Sequence, residues 1–178
     1  MEKKYPTLGC CGIDCGLCPR FYTDGDSICP GCLGPNFTEQ HPPCAIAKCC
    51  FFEKKLEACG LCENFPCDRY KNWEKTEKDS FVTHKRIFHN QNFIKTHGLQ
   101  EFIKEQKIRI KLLKILLEKY NDKRSKNFYC LAATLLKIDS INQVLKFIKT
   151  NKNAEIPAIK AKINELANEE NIVLKLQK

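Results

Sequence analysis

The chain has 178 residues, 43% of them hydrophobic, with 30 Lys+Arg against 21 Asp+Glu and a formal net charge of +9. That length allows one domain or two small ones, and the apolar share excludes bulk disorder. No apolar run approaches the roughly 20 residues that cross a bilayer, and the opening MEKKYPTLGCCG lacks the apolar core of a secretory signal, so a cytoplasmic protein without membrane attachment is expected.

The charge is unevenly spread. Residues 1–75 carry 9 basic and 10 acidic side chains, so the excess positive charge belongs to the remainder. The same first stretch holds twelve of the thirteen cysteines, at Cys10, Cys11, Cys15, Cys18, Cys29, Cys32, Cys44, Cys49, Cys50, Cys59, Cys62 and Cys67. In a reducing compartment such spacings favour metal over disulfides, and the odd total argues against complete disulfide pairing. Reactive or redox thiols are the next alternative.

In chain order, residues 1–43 show little helical period. Gly9, Gly12, Gly16, Gly25, Gly31 and Gly34, with Pro19, Pro30, Pro35, Pro42 and Pro43, predict turns and loops. Such a segment buries little apolar surface, so bound metal is the expected source of its order. Residues 44–58 predict a short helix with Ala45, Ile46, Cys49, Phe52 and Leu56 on one side, stopped by Gly60. Pro66 is placed to start another, through about Trp73. Phe51, Phe52, Phe65, Tyr70 and Trp73 read as core packing against the cysteine loops.

From Ser80 glycine and proline almost vanish. Ser80 is a candidate cap for a helix to His97, closed by Gly98. A long helix over 99–120 carries an apolar stripe of Leu99, Phe102, Ile103, Ile110, Leu113, Leu117 and Tyr120. Ser125 is expected to cap the next helix, Asp139 or Ser140 the one after, and Pro157 to open a last helix over 156–170. The final IVLKL alternates and predicts a short strand. No repeat is apparent.

Zinc takes four tetrahedral ligands, usually thiolate or imidazole. Cys15/Cys18 with Cys29/Cys32 make one four-thiolate set. Cys44, Cys49, Cys59 and Cys62 make a plausible second; Cys11 or Cys67 is able to replace one of these eight, and interleaved loops are an alternative. The rival is an iron–sulfur cluster. Cys11-x3-Cys15-x2-Cys18 has the spacing of enzymes that cleave S-adenosylmethionine, but no alternating strand–helix units follow it. His41 reads as an exposed loop residue, with a metal ligand as the alternative, and His84 and His89 lie five apart on a predicted helix, poorly placed for one ion. Cys130, alone on an apolar helix, reads as a small buried hydrophobe, with a reactive thiol as alternative. Lys104, Lys107, Arg109, Lys111 and Lys114 alternate with apolar positions as on a solvated face, so nucleic-acid binding by the basic half is an alternative and not the favoured one. No Gly-rich phosphate loop, Ser/His/Asp pattern or carboxylate pair points to a reaction.

The ordered series CGIDCGLCPRF, CPGCLG, CAIAKCC and CGLCENFPCDRY resembles a widespread microbial family called domain of unknown function 3795. The later stretch LLEKYNDKRSKNFYCLAATLL resembles the second half of its longer members. The resemblance picks out Cys11, Cys15, Cys18, Cys29, Cys32, Cys44, Cys49, Cys59, Cys62 and Cys67, with Asp14 and Pro19. It leaves Cys10 and Cys50 as additions in this chain. It implies a metal-binding protein and brings no reaction.

The expectation is therefore a mainly α protein. A small loop-rich metal domain of zinc-ribbon or knuckle type, residues 1–75, packs on a C-terminal helical bundle, residues 80–178. Two zinc ions, or alternatively an iron–sulfur cluster, would be held by the ten motif cysteines. The function expected is that of an interaction or regulatory module; a protein is one possible partner, and the sequence names none.

Overall fold

The computed structural model describes residues 3–71, 73 and 78–177. The protein is mainly helical, with a loop-rich, cysteine-rich N-terminal region packed on helix; among the described residues there are seven α-helices and no strand. The chain divides into two compact units. One ends at Ile103 and takes the chain up again at Leu176; the other is Lys104–Lys175. The first unit thus contains the whole helix that the sequence places after residue 80.

In the first unit, short 3-10 turns replace long helices. Cys15–Leu17, Pro19–Tyr22 and Gly25–Ser27 lead to α1 (Phe37–Gln40) and α2 (Ala45–Ala47). The chain then widens into a π-helical stretch, Lys48–Glu53, closed by the bond from Lys54 N to Cys49 O at 3.0 Å. The expected 44–58 helix therefore stops at Glu53, and Lys55 adopts a φ of 59°. Its buried face is Ile46, Ala47, Cys50 and Phe51, while Phe52 is exposed. Apolar residues occupy nearly every position from 45 to 52, so periodicity alone could not choose the face. Gly60 does not stop this helix; it lies in a 3-10 turn, Cys59–Leu61. Pro66 follows a cis peptide bond and is succeeded by a 3-10 turn at Asp68–Tyr70.

Helix α3 (Ile87–His97) starts six residues later than a cap at Ser80 suggested. The Asp79 carboxylate explains the delay. It accepts from His84 N at 2.8 Å and Thr83 Oγ1 at 3.2 Å, a local side-chain-to-backbone arrangement that competes with helix. Gly98 ends α3 as expected, at φ 86°, donating to Ile94 O. The unit's core combines Cys10, Cys32, Ile46, Cys50, Phe51, Phe65, Tyr70 and Ile87, with Trp73 and Phe88 packed against it. Phe65, Tyr70 and Phe88 meet in edge-on and tilted pairs, with centroids 5.1 to 6.3 Å apart. The expected terminal strand is absent from residues 172–176. Instead, Gln177 and Asp79 exchange backbone and side-chain bonds, Asp79 N to Gln177 O at 2.8 Å and Gln177 N to Asp79 Oδ2 at 2.9 Å.

The second unit continues α4 (Leu99–Lys119) and adds α5 (Lys126–Leu135), α6 (Ile138–Thr150) and α7 (Ile156–Glu169). Leu112, Leu113, Leu116, Tyr129, Ala132, Ala133, Leu136, Ile141, Val144, Ile159, Ile163 and Leu166 are its fully buried apolar residues, and Cys130 is buried beside them as a small hydrophobe. Arg109 is not on a solvated face. It is buried, pairs with Glu105 at 2.8 Å, and donates to the carbonyls of Ala133 at 2.9 Å and Leu136 at 2.7 Å, which closes the C-terminal end of α5. Neither Asp139 nor Ser140 caps α6. The Glu170 carboxylate, from beyond α7, accepts from Lys137 N at 2.9 Å and from the Ser140 hydroxyl.

Candidate metal centre

Two tetrapeptides in this chain are identical, Cys15-Gly16-Leu17-Cys18 and Cys59-Gly60-Leu61-Cys62. They fold alike. Each forms one 3-10 turn, with Cys18 N donating to Cys15 O at 3.1 Å and Cys62 N to Cys59 O at 2.9 Å. A turn of this size puts two thiols on one side of the backbone.

Helix α3 supports both cysteine loops through two adjacent buried side chains. Asn90 Nδ2 donates to Gly12 O at 2.9 Å and to Asp14 Oδ2 at 2.7 Å, which anchors the Cys11–Cys18 loop. Gln91 Nε2 donates to Cys10 O at 2.8 Å, and Gln91 Oε1 accepts from Gly60 N. Gln91 therefore ties the first loop to the second. The approach is close enough to require glycine: a Cβ at Gly60 would overlap Gln91 O, and one at Gly12, where φ is 99°, would come within 2.8 Å of Gln91 Cγ and Ile87 O.

The ten expected ligands fall around two open cavities. The first, about 740 Å³, is lined by Cys11, Cys15, Cys18, Cys29, Cys32 and Cys44, with His41, Arg20 and Arg69 at its wall. The second, about 720 Å³, is lined by Cys49, Cys50, Cys59, Cys62 and Cys67, with Lys54 and Tyr70. Cys44 lies with the first group rather than the second, where sequence order suggested it. Cys11 and Cys67 take their places as additional members, one in each cavity. Among the described residues no three of His, Cys, Asp and Glu converge on one point as ligands of a single ion. The thiols surround a space instead. All thirteen are free of disulfide bonds.

His41 is not a solvent-exposed bystander. Its Nε2 is 3.1 Å from Cys29 Sγ and its ring stacks on Phe37 at 4.5 Å. Burial lowers its basicity, as it does for His84, which lies before α3 rather than on it, against Ser80 Oγ and the Trp73 ring.

The electrostatics favour protonated thiols until a cation arrives. Burial pushes Cys11 up to about 12 and Cys15 well above its ordinary value, each helped by neighbouring thiols. The hydrogen bond to Cys10 and burial raise Cys32 as well. Cys62 differs: burial opposes ionisation, but the Lys54 ammonium at 3.1 Å outweighs it and leaves this thiol below its ordinary value. Lys3, whose side chain is fully buried and pairs with Glu57 at 3.5 Å, lowers the cost of ionising Cys10, Cys32 and Cys50. Crowded, desolvated thiols of this kind suit a soft, thiophilic metal, whose charge replaces the protons lost.

Cys10 and Cys50, which lie outside the motif series, occupy a particular place. Cys10 Sγ is 3.8 Å from Cys32 Sγ, and the Cys50 thiol, which donates to Leu56 O at 3.3 Å, is close enough to interact electrostatically with Cys10 and Cys59. A row of four thiols runs from one cavity to the other. Asn90, Gln91 and Lys3 carried no functional signal in the sequence, because an amide on a helix or a lysine near a terminus is ordinary. The doubled CGLC was a visible signal that the two loops are equivalent. In comparison with known proteins, no family model, no curated protein and no solved structure matches this chain.

Proposed function

We propose that residues 10–67 form a thiolate metal-binding module of a cytoplasmic protein. Zinc is its metal, one ion to each cavity, and its role is to hold a loop-rich segment in shape for interaction with or regulation of a protein partner. The observation that carries this reading is the distribution of the ten motif cysteines around two cavities, six and four, with no disulfide between them. Cys15, Cys18, Cys29 and Cys32, with Cys11 and Cys44 beside them, would hold the first ion; Cys49, Cys59, Cys62 and Cys67 the second. The resemblance to domain of unknown function 3795 supports the same set.

A specific observation favours a second reading. Six cysteines around one cavity, Cys11, Cys15 and Cys18 with their cluster-like spacing among them, suit a polynuclear iron–sulfur cluster, which spreads its ligands over several iron atoms. The two readings separate cleanly in one experiment: elemental analysis and absorbance of anaerobically purified protein. Colourless protein with two zinc per chain supports the first, and brown protein with iron and acid-labile sulfide the second. Metal-free protein that keeps its circular dichroism and thermal transition in chelator would overturn both.

A further inference from the structure

The row of thiols between the cavities has one member that sits differently from the rest. Cys32 lines the first cavity and can be reached through it. Cys10 lines neither of the two cavities, is 1% exposed, and lies directly behind Cys32. Two contacts hold the pair in register: Cys10 N donates to Cys32 Sγ at 3.4 Å, and the two sulfurs are 3.8 Å apart. The row is not itself a site for one ion, since no three of its thiols converge. What neighbouring sulfurs support is pairwise chemistry.

We propose that Cys10 is a resolving thiol for Cys32: a hydroperoxide oxidises Cys32 from the cavity side, Cys10 closes a disulfide from behind, and the first cavity loses a metal ligand. The inference rests on the metal reading for its consequence, release of metal, and not for the disulfide itself. Cys32 is protonated at rest, so it reacts through its minor thiolate: the sulfur attacks the peroxide, an S–O bond forms as the O–O bond breaks, and the departing oxygen takes up the proton Cys32 has lost and leaves as water when the oxidant is hydrogen peroxide. The Cys10 sulfur then attacks the sulfenic acid. An S–S bond forms, the S–O bond breaks, and the hydroxyl leaves with a proton as a second water. Two thiols are oxidised by two electrons in all, and one peroxide is reduced to two waters. The sulfurs must close from 3.8 Å to about 2.05 Å, within reach of small rotations about two side chains.

The oxidant's access and the resolver's shelter give the pair a direction. Without Cys10, an oxidised Cys32 loses the thiol held 3.8 Å from its sulfur and is left open to sulfinic acid, which ordinary thiols do not reverse. With it, oxidation halts at a disulfide that a dithiol reductant reverses.

The test uses the full chain loaded with zinc, its metal content measured first. Hydrogen peroxide is added, released zinc is followed with a chromogenic chelator, and non-reduced peptides are mapped by fragmentation mass spectrometry. The expected product is a Cys10–Cys32 disulfide, formed with zinc release and reversed by dithiothreitol. In Cys10→Ser, Cys32 is recovered as sulfinic acid, and zinc loss that dithiothreitol can reverse falls more than about tenfold, because a thiol held beside its target acts at a very high effective concentration. A Cys32 pairing with Cys15 or Cys29, or a Cys10–Cys50 disulfide in place of Cys10–Cys32, overturns the proposal. The mapping is done on the unmodified chain, so it stands even where Cys10→Ser fails to fold. Protein that carries no metal yet forms Cys10–Cys32 upholds this inference and removes the zinc reading; zinc-loaded protein that does not form it does the reverse.

Discussion

Replacing Gln91 by alanine should loosen both cysteine loops at once. The side chain is fully buried and makes two hydrogen bonds, one to Cys10 O at 2.8 Å and one from Gly60 N. Truncation leaves a buried carbonyl and a buried amide without these partners. Each such orphan costs about 1–3 kcal/mol, so a loss of about 3–5 kcal/mol is expected once the small void is added. That is a large share of the roughly 5–15 kcal/mol that stabilises a domain of ordinary size. Guanidinium unfolding followed by Trp73 fluorescence reports on this unit, because the chain has a single tryptophan. Iodoacetamide labelling with peptide mapping should show Cys10 and Cys59 becoming reactive well below the unfolding midpoint. A stability loss under about 1 kcal/mol, the worth of one ordinary hydrogen bond, with labelling unchanged, would mean that Gln91 does not hold the loops together.

Other expected outcomes follow from the same contacts. Gly60→Ala places a Cβ onto Gln91 O and should lower stability by about 1–3 kcal/mol on the same assay, whereas the exposed Gly25, whose Cβ would meet nothing within 4 Å, should be affected only through its φ of 74°. Arg109→Met strips the carbonyls of Ala133 and Leu136 of their donor and removes the guanidinium that pairs with Glu105; a loss of about 3–5 kcal/mol is expected by thermal denaturation, and a shift of under a degree in the melting temperature would contradict the buried pairing. Hydrogen bonds from Ser125 and Lys160 hold the Asp122 carboxyl well below the usual carboxylate range. A depressed folded-state value stabilises the fold above the unfolded value, near pH 4, and the contribution fades as pH falls through the folded one. Asp122→Asn should therefore flatten the acid side of the stability profile, and superimposable profiles would refute this. Lys54→Met should slow iodoacetamide labelling of Cys62 in metal-free protein near neutral pH, since the ammonium that favours the thiolate is gone; an unchanged rate would count against it.

The helical half was readable because its signals are local. Gly98 and Pro157 mark helix ends through backbone geometry that any neighbour would leave intact, and α4 and α7 match their expected spans within a residue. The misreadings share a different origin. Asp79 delays α3 by bonding to the next turn of chain, and Glu170 caps α6 from thirty residues away in sequence, so no window around either helix contains the reason. The side of the 45–53 helix that turns inward depends on what lies opposite, which an unbroken apolar run does not encode. The cysteine pairs announced themselves by spacing. Their division between two cavities did not, because Cys44 is placed by the turns after Gly31 and not by its nearness to Cys49. Gln91 was hidden for the same reason: its partners, Cys10 and Gly60, are 81 and 31 residues distant.

The bonds between Asp79 and Gln177 alter what kind of architecture this is. They return the chain to the unit it left at Ile103, so Lys104–Lys175 is a guest inserted within a host, entered and left through the same unit. Guest and host exchange free energy through two junctions. Ordering the cysteine-rich host fixes both ends of the helical guest, so the closure entropy of the guest's chain is already spent, while melting the guest turns it into a flexible loop that the host must bridge to keep Gln177 on Asp79. The metal uptake proposed for the loops would thus be felt as added stability in helices outside them.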